Sequence, residues 1–151
     1  MKKILIYCNF AIIMVLIPQW CFSQCHSKAK VETCAGKLGD FKFLKAYEID
    51  AYKFKSGDPK IKKEFSYVFS KNTMYKLVLC DGSSEGNISL IATIYDTNRK
   101  LKASSYDRKK KKKYSQIGYQ CTATGIYYIS FSYDGNKPPS DCSLCILGFK
   151  K

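Results

Sequence analysis

Thr122-Ala-Thr-Gly-Ile-Tyr-Tyr-Ile-Ser-Phe-Ser-Tyr133 is a turn followed by a long alternating run. Thr122 to Gly125 carry turn chemistry, and from Ile126 the residues alternate. Tyr127, Ile129, Phe131 and Tyr133 fall on one face, with Tyr128, Ser130 and Ser132 on the other. A two-residue period is the mark of a strand with one buried face and one wetter face. Such a strand needs partner strands and a second layer to cover it.

The neighbouring sequence supplies both. Upstream, Ile117–Cys121 and Leu101–Tyr106 read as strands on either side of the basic run Arg108–Lys113. Ser89–Tyr95 is a mostly apolar strand, joined to Leu101 by the hairpin turn Asp96-Thr-Asn-Arg. Met74–Cys80 groups Tyr75, Leu77 and Leu79, and Glu64–Ser70 sets Phe65, Tyr67 and Phe69 against Ser66, Val68 and Ser70. Lys71-Asn-Thr between them is a tight turn. Asp40–Tyr47 is the first strand, with Phe41 and Phe43 on one side and Lys42 on the other. Downstream, Asp134-Gly-Asn-Lys-Pro-Pro139 is a loop and Cys142–Phe149 the last strand. About eight short strands at roughly ten-residue spacing predict an all-β, antiparallel sandwich or jelly roll. Twelve tyrosines and nine phenylalanines suit it, because aromatic rings favour a pleated, half-buried surface. Gln24–Leu38 does not alternate and reads as a short helix or irregular arm closed by Gly36 and Gly39.

Met1-Lys-Lys, an apolar run from Ile4 to Ile17, and the polar Cys21-Phe-Ser-Gln24 have the three-part layout of a secretory signal peptide. The run is short for a membrane span, which needs about 20 residues. Cleavage is expected after Ser23, in the manner of Gram-negative signal peptides cut just before a glutamine. The expected division is therefore a signal peptide over 1–23, an arm over 24–39 and a β-sandwich domain over 40–151. The exported chain is large enough to fold on its own core. Loss of Lys2 and Lys3 takes the net charge from +14 to +12. Six cysteines then remain (Cys25, Cys34, Cys80, Cys121, Cys142 and Cys145), for which disulfides are the default in an exported protein. Their connectivity is open, with 15 full pairings.

Phe65-Ser-Tyr-Val-Phe, Met74-Tyr-Lys-Leu-Val-Leu, Leu90-Ile-Ala-Thr-Ile-Tyr-Asp96, Leu101-Lys-Ala-Ser and Ala123-Thr-Gly-Ile-Tyr-Tyr-Ile-Ser-Phe together resemble bacterial prepeptidase C-terminal (PPC-type) β-sandwich domains. The likeness runs from about Asp40 to Phe149. It implies a non-catalytic domain of the kind that accompanies secreted enzymes and sometimes binds substrate, polysaccharide or the cell surface. In a jelly roll of eight strands the third and eighth are antiparallel neighbours. Cys80 would then approach Cys142, and that bridge is the expected one. Cys142 and Cys145 lie too far apart in an extended strand to bond each other.

Catalytic signatures are thin. His26 is the one histidine, beside Cys25, and adjacent Cys-His is not a dyad signature. There is no HExxH or phosphate-binding glycine loop, and no cofactor is expected. Asp81, Ser83, Glu85, Gly86 and Asn87 mimic the start of a calcium loop, but Ala92 stands where its bidentate glutamate belongs, so an inter-strand turn is the plainer reading. The distinctive polar feature is Arg108-Lys109-Lys110-Lys111-Lys112-Lys113-Tyr114. It is either a solvated hairpin tip or a contact for an anion. Outside the cytoplasm the anions on offer are acidic polysaccharide, lipopolysaccharide, phospholipid or an envelope protein, and not nucleic acid. Lys53, Lys55, Lys60, Lys62 and Lys63 make a second basic loop, and Tyr106, Tyr114 and Tyr119 are either a stacking platform for sugars or core residues. The expectation is an exported, non-enzymatic binding module, in the periplasm, on the surface or outside the cell. A structural or adhesion component of the envelope is the alternative, and a small secreted enzyme the third reading.

Overall fold

The computed structural model describes residues 28–50, 63–82, 88–133 and 142–151. They form one helix, α1 (Lys28–Gly36), and ten strands: β1 (Lys42–Asp50), β2 (Lys63–Phe69), β3 (Met74–Cys80), β4 (Leu90–Tyr95), β5 (Leu101–Ser104), β6 (Tyr106–Asp107), β7 (Lys112–Lys113), β8 (Gln116–Gln120), β9 (Gly125–Tyr133) and β10 (Cys142–Lys150). Eight of the strands make two antiparallel sheets, β1-β10-β3-β8 and β2-β9-β4-β5, and β6 and β7 pair as a separate ribbon. Successive strands cross between the sheets except at the β4–β5 hairpin, which is the jelly-roll arrangement of two Greek keys.

The alternation in β9 is what the sheets are built around. Tyr127, Ile129 and Phe131 are buried between the layers, and Tyr133 packs against them. Facing them are Leu77, Leu79, Cys145 and Leu147 of the other sheet, with Leu90, Ala92 and Ile94 alongside. Phe69 stacks on Tyr75 with centroids 3.9 Å apart and on Tyr127 at 4.9 Å. The Tyr75 hydroxyl accepts a hydrogen bond from Ser70 N at 2.8 Å, which fixes the arch between β2 and β3. Asn72 in this arch takes a left-handed φ of 62°, a conformation asparagine tolerates better than most residues.

β1 departs from the expected alternation. A register shift between Phe43 and Lys45 lets Leu44 join Tyr47 and Ile49 in the core, while Phe43 is left 51% exposed. Phe41 belongs to a second apolar cluster with Cys34, Leu38, Val78, Leu144 and Ile146. This cluster lies on the outer face of the β1-β10-β3-β8 sheet, covered by α1. The helix has no strong apolar stripe, and two features dock it instead. A disulfide joins Cys34 to Cys80, with Cα atoms 6.2 Å apart. Lys76 Nζ donates to the carbonyls of Lys37 and Leu38 at 3.3 and 3.2 Å, completing acceptors that the helix end leaves unpaired. Gly39, at φ 67°, turns the chain into β1.

The Cys34–Cys80 bond replaces the expected Cys80–Cys142 bridge. β3 and β10 are antiparallel neighbours as the jelly roll requires, but the register sets Leu144 opposite Cys80. Cys142 lies two residues further on, and its own disulfide partner is outside the described residues. Residues 1–27, 51–62, 83–87 and 134–141, where the signal peptide, the start of the arm and three of the loops are expected, also lie outside them. No helix among the described residues is long and apolar enough to cross a membrane.

Candidate functional site

The basic run forms a hairpin with a defined root and tip. At the root, Ser105 is fully buried and held to β4 by two hydrogen bonds. Its N–H donates to Ala92 O at 2.9 Å, and its Oγ accepts from Ala92 N at 2.9 Å. The returning strand is held by Tyr114 N donating to Ser105 O at 2.8 Å, and Leu79 N donates to Ser115 O at 2.8 Å. Between these anchors Tyr106 pairs with Lys113 and Asp107 with Lys112. At the tip, Asp107 Oδ1 accepts from Lys109 N at 2.9 Å and Lys110 N at 3.1 Å. Lys111 then reverses the chain at φ 51°. Arg108 through Lys112 are exposed and Lys113 half-buried, so six consecutive cations are displayed on one short ribbon.

The run thus comes together as a unit. Tyr114 is 36% exposed and lies under the Lys112 ammonium, 5.4 Å from the ring centroid, within cation–π range. Tyr119 is not part of this surface. It packs against the core, 5.5 Å from Tyr127, and donates its hydroxyl proton to Tyr127 Oη at 3.3 Å. Of the second basic loop, Lys63 is described, and its ammonium turns to Glu48 O at 2.7 Å instead of joining a patch. Lys53, Lys55, Lys60 and Lys62 lie outside the described residues, as does His26.

Beside the hairpin's exit, where Ser115 and Gln116 begin β8, a cavity of about 430 Å³ opens between α1 and the ends of β3 and β10. Lys30 and Lys37 stand at its helix side, and its apolar lining includes Leu79, Ile88 and Leu144. Asp81 also lines it, but its buried carboxylate is engaged. Oδ2 accepts from Ser89 N at 2.7 Å, Ser89 Oγ at 3.1 Å and Leu90 N at 3.2 Å. Asp81 therefore clamps the entry to β4, as an inter-strand turn would, while Ser83, Glu85, Gly86 and Asn87 lie outside the described residues.

Among the described residues two cysteines keep free thiols, both buried. Cys145 sits in the centre of the sandwich, and burial pushes its thiol well above the ordinary range. Nearby Tyr47 Oη is buried with no hydrogen-bond partner among the described residues, and desolvation, then the Cys145 charge, drives its hydroxyl up as well. Cys121 Sγ lies 3.1 Å from Ala123 O and 3.7 Å from Tyr127 Oη. Cys142 and Cys145 are an odd number of residues apart and so take opposite faces of β10, which removes a shared metal or redox role.

One surface was not visible as a site in the sequence. On the outer face of β2-β9-β4-β5, Val68 and Ile126 stand opposite each other in register, 59% and 46% exposed. Leu101, 54% exposed, extends the strip at the β5 edge. Between them the Arg99 guanidinium lies 4.2 Å from the Tyr128 ring centroid and binds Glu64 Oε2 at 2.6 Å.

No protein-family model matches the chain, and no curated protein matches it. Among solved structures, it is similar to PliG from Aeromonas hydrophila, a periplasmic inhibitor of g-type lysozyme, at 9% identity and a TM-score of 0.45, covering 74% of this chain and 89% of that one. Salmonella Typhimurium PliG aligns at 12% identity and a TM-score of 0.39, over 70% of this chain and 85% of that one. A mutant of the Escherichia coli inhibitor aligns at 12% and 0.40, over 74% and 91%. Likenesses of this strength assign neither a family nor a partner.

Proposed function

We propose that this chain is an exported, non-enzymatic binding module that holds a polyanion of the cell envelope, of the acidic-polysaccharide class, through the β6–β7 hairpin. The observation that carries the reading is the hairpin itself. Six cations, Arg108 to Lys113, are raised on a ribbon whose root is bonded into the sandwich at Ser105 and whose tip is a hydrogen-bonded turn. Each lysine near an anionic surface contributes about 1 kcal/mol at most and loses it with salt. Together they support a reversible, salt-sensitive association. The resemblance to PPC-type domains supports an accessory role over a catalytic one, and the signal-like start of the chain supports export.

Retention on a sulfated-polysaccharide matrix tests this, with Lys109–Lys113 replaced by serine in the comparison protein. Retention at low salt that is lost both on adding salt and on the replacement is the expected result. Equal retention of the two proteins would remove the hairpin from the function.

A second reading, contact with a protein partner in an adhesion or structural role, is favoured by the exposed strip Val68, Ile126 and Leu101. Protein capture that survives the serine replacements but is lost in Val68→Ser with Ile126→Ser would select it. A g-type lysozyme serves as one protein probe.

A further inference from the structure

Six adjacent like charges repel, and a run of this composition ordinarily stays disordered. Here it is a turn, and the atoms that make it one can be named. Asp107 is the residue beside the run that offers an acceptor, and its Oδ1 takes the N–H groups of both Lys109 and Lys110. This is the side-chain mimic of a backbone turn at which aspartate and asparagine excel. Lys111 provides a second, independent sign. At φ 51° it occupies the left-handed region, where glycine fits without steric cost and a lysine does not. A side chain kept in a conformation that its backbone disfavours points to a use for that side chain.

We propose that Asp107 is a positioning residue for ligand binding, fixing the hairpin tip so that Arg108 to Lys112 meet a polyanion with closely spaced, fixed charges such as a sulfated or phosphorylated polysaccharide. The proposal rests on the polyanion-binding reading. It adds that geometry, beyond net charge, sets the affinity. A tip ordered in advance spares the complex the entropy of ordering it on contact.

Charge counting and positioning give opposite signs for one substitution. Asp107→Ala removes a negative charge beside six positive ones, so charge alone would tighten binding. Loss of the turn acceptor would instead weaken it. Asp107→Asn has the same net charge as Asp107→Ala but keeps an acceptor oxygen at the same place. Binding of heparin, as a sulfated-polysaccharide probe, is measured for all three proteins by titration calorimetry at low salt, with amide exchange at Lys109 and Lys110 followed in parallel. The expected result is that Asp107→Ala binds about fivefold more weakly than Asp107→Asn, the factor that one hydrogen bond's net worth corresponds to. Its two tip amides should also exchange faster, with the core amides unchanged. Equal or tighter binding by Asp107→Ala would overturn the positioning role while leaving polyanion binding in place. Failure of the unsubstituted protein to bind heparin would overturn both.

Discussion

Leu38 lies directly over Gly148: a Cβ added to that glycine would stand 2.6 Å from Leu38 Cδ2 and 3.1 Å from Lys42 O. The missing side chain on β10 is what lets the turn after α1 settle onto the sheet. Gly148→Ala should therefore push Leu38 out of its cluster with Val78 and Ile146. Overpacking of this kind costs about 1–3 kcal/mol. Thermal unfolding checks it, and because Leu38→Ala removes the clashing methyls, the two changes together should cost less than the sum of each alone.

The Cys34–Cys80 bond spans 46 residues of sequence and ties the helix to the third strand. In the chain-entropy model a loop of that length stabilises the fold by roughly 4 kcal/mol. Replacing both cysteines with alanine should lower the melting temperature by several degrees, whereas Cys80→Ala alone should also free a Cys34 thiol. Peptide mapping of the unreduced protein should recover Cys34 and Cys80 in one linked fragment.

The Tyr47 hydroxyl, which has no partner among the described residues, gives an expectation of the opposite sign. Removing a buried polar group that makes no hydrogen bond relieves a desolvation penalty of about 1 kcal/mol or more. Tyr47→Phe should be neutral or stabilising in urea unfolding at neutral pH. A clear loss of stability would mean that the hydroxyl has a partner after all.

Burial raises the Cys145 thiol above its ordinary value of 9.0 and the Tyr47 and Tyr127 hydroxyls above 10.0. Burial also raises Tyr133, against the opposing pull of its bond with Ser143. The folded state holds these protons more tightly than the unfolded chain, so their contribution is complete below pH 9 and drains away as the pH rises past 9 to 10. Stability measured by urea unfolding should therefore be level from neutral pH to about 9 and fall beyond it. Tyr47→Phe should make that fall shallower.

Much of the sandwich was legible in the chain because alternation survives in β2, β3 and β9, and because the turns at Asp96–Arg99 and Lys71–Thr73 carry their own chemistry. Asp96 shows why such turns can be read. Its Oδ1 accepts from Asn98 N and Lys100 N at 2.9 and 2.8 Å, all within five residues. What was not legible depends on contacts distant in sequence. The β-bulge at Phe43 is imposed by its pairing with β10. The docking of α1 rests on the Cys34–Cys80 bond, on Lys76 reaching the carbonyls of Lys37 and Leu38, and on Leu38 fitting over Gly148. No local pattern marks either. The run Arg108–Lys113 could be found by composition alone, but the part Asp107 plays shows only where the turn places two lysine amides against its carboxylate. The strip Val68, Ile126 and Leu101 was hidden for a related reason, because strand register sets which apolar residues share an outer face.

Lys111 offers a check on the trade between stability and binding at the tip. Lys111→Gly should raise the melting temperature slightly, by relieving about 1 kcal/mol of left-handed strain, and should weaken heparin binding. Lys110→Gly should weaken binding without the gain in stability. A Lys111→Gly protein no more stable than Lys110→Gly would remove the strain from the explanation.

Residue-level mapping of the contact decides between the two surfaces: amide chemical shifts of this protein, titrated with a sulfated oligosaccharide at low salt. If the basic hairpin is the binding surface, the shifts should concentrate in Tyr106–Gln116 and vanish as salt is added. Shifts centred instead on Val68, Ile126 and Tyr128 would contradict the claim and move the interaction to the outer face of the β2-β9-β4-β5 sheet.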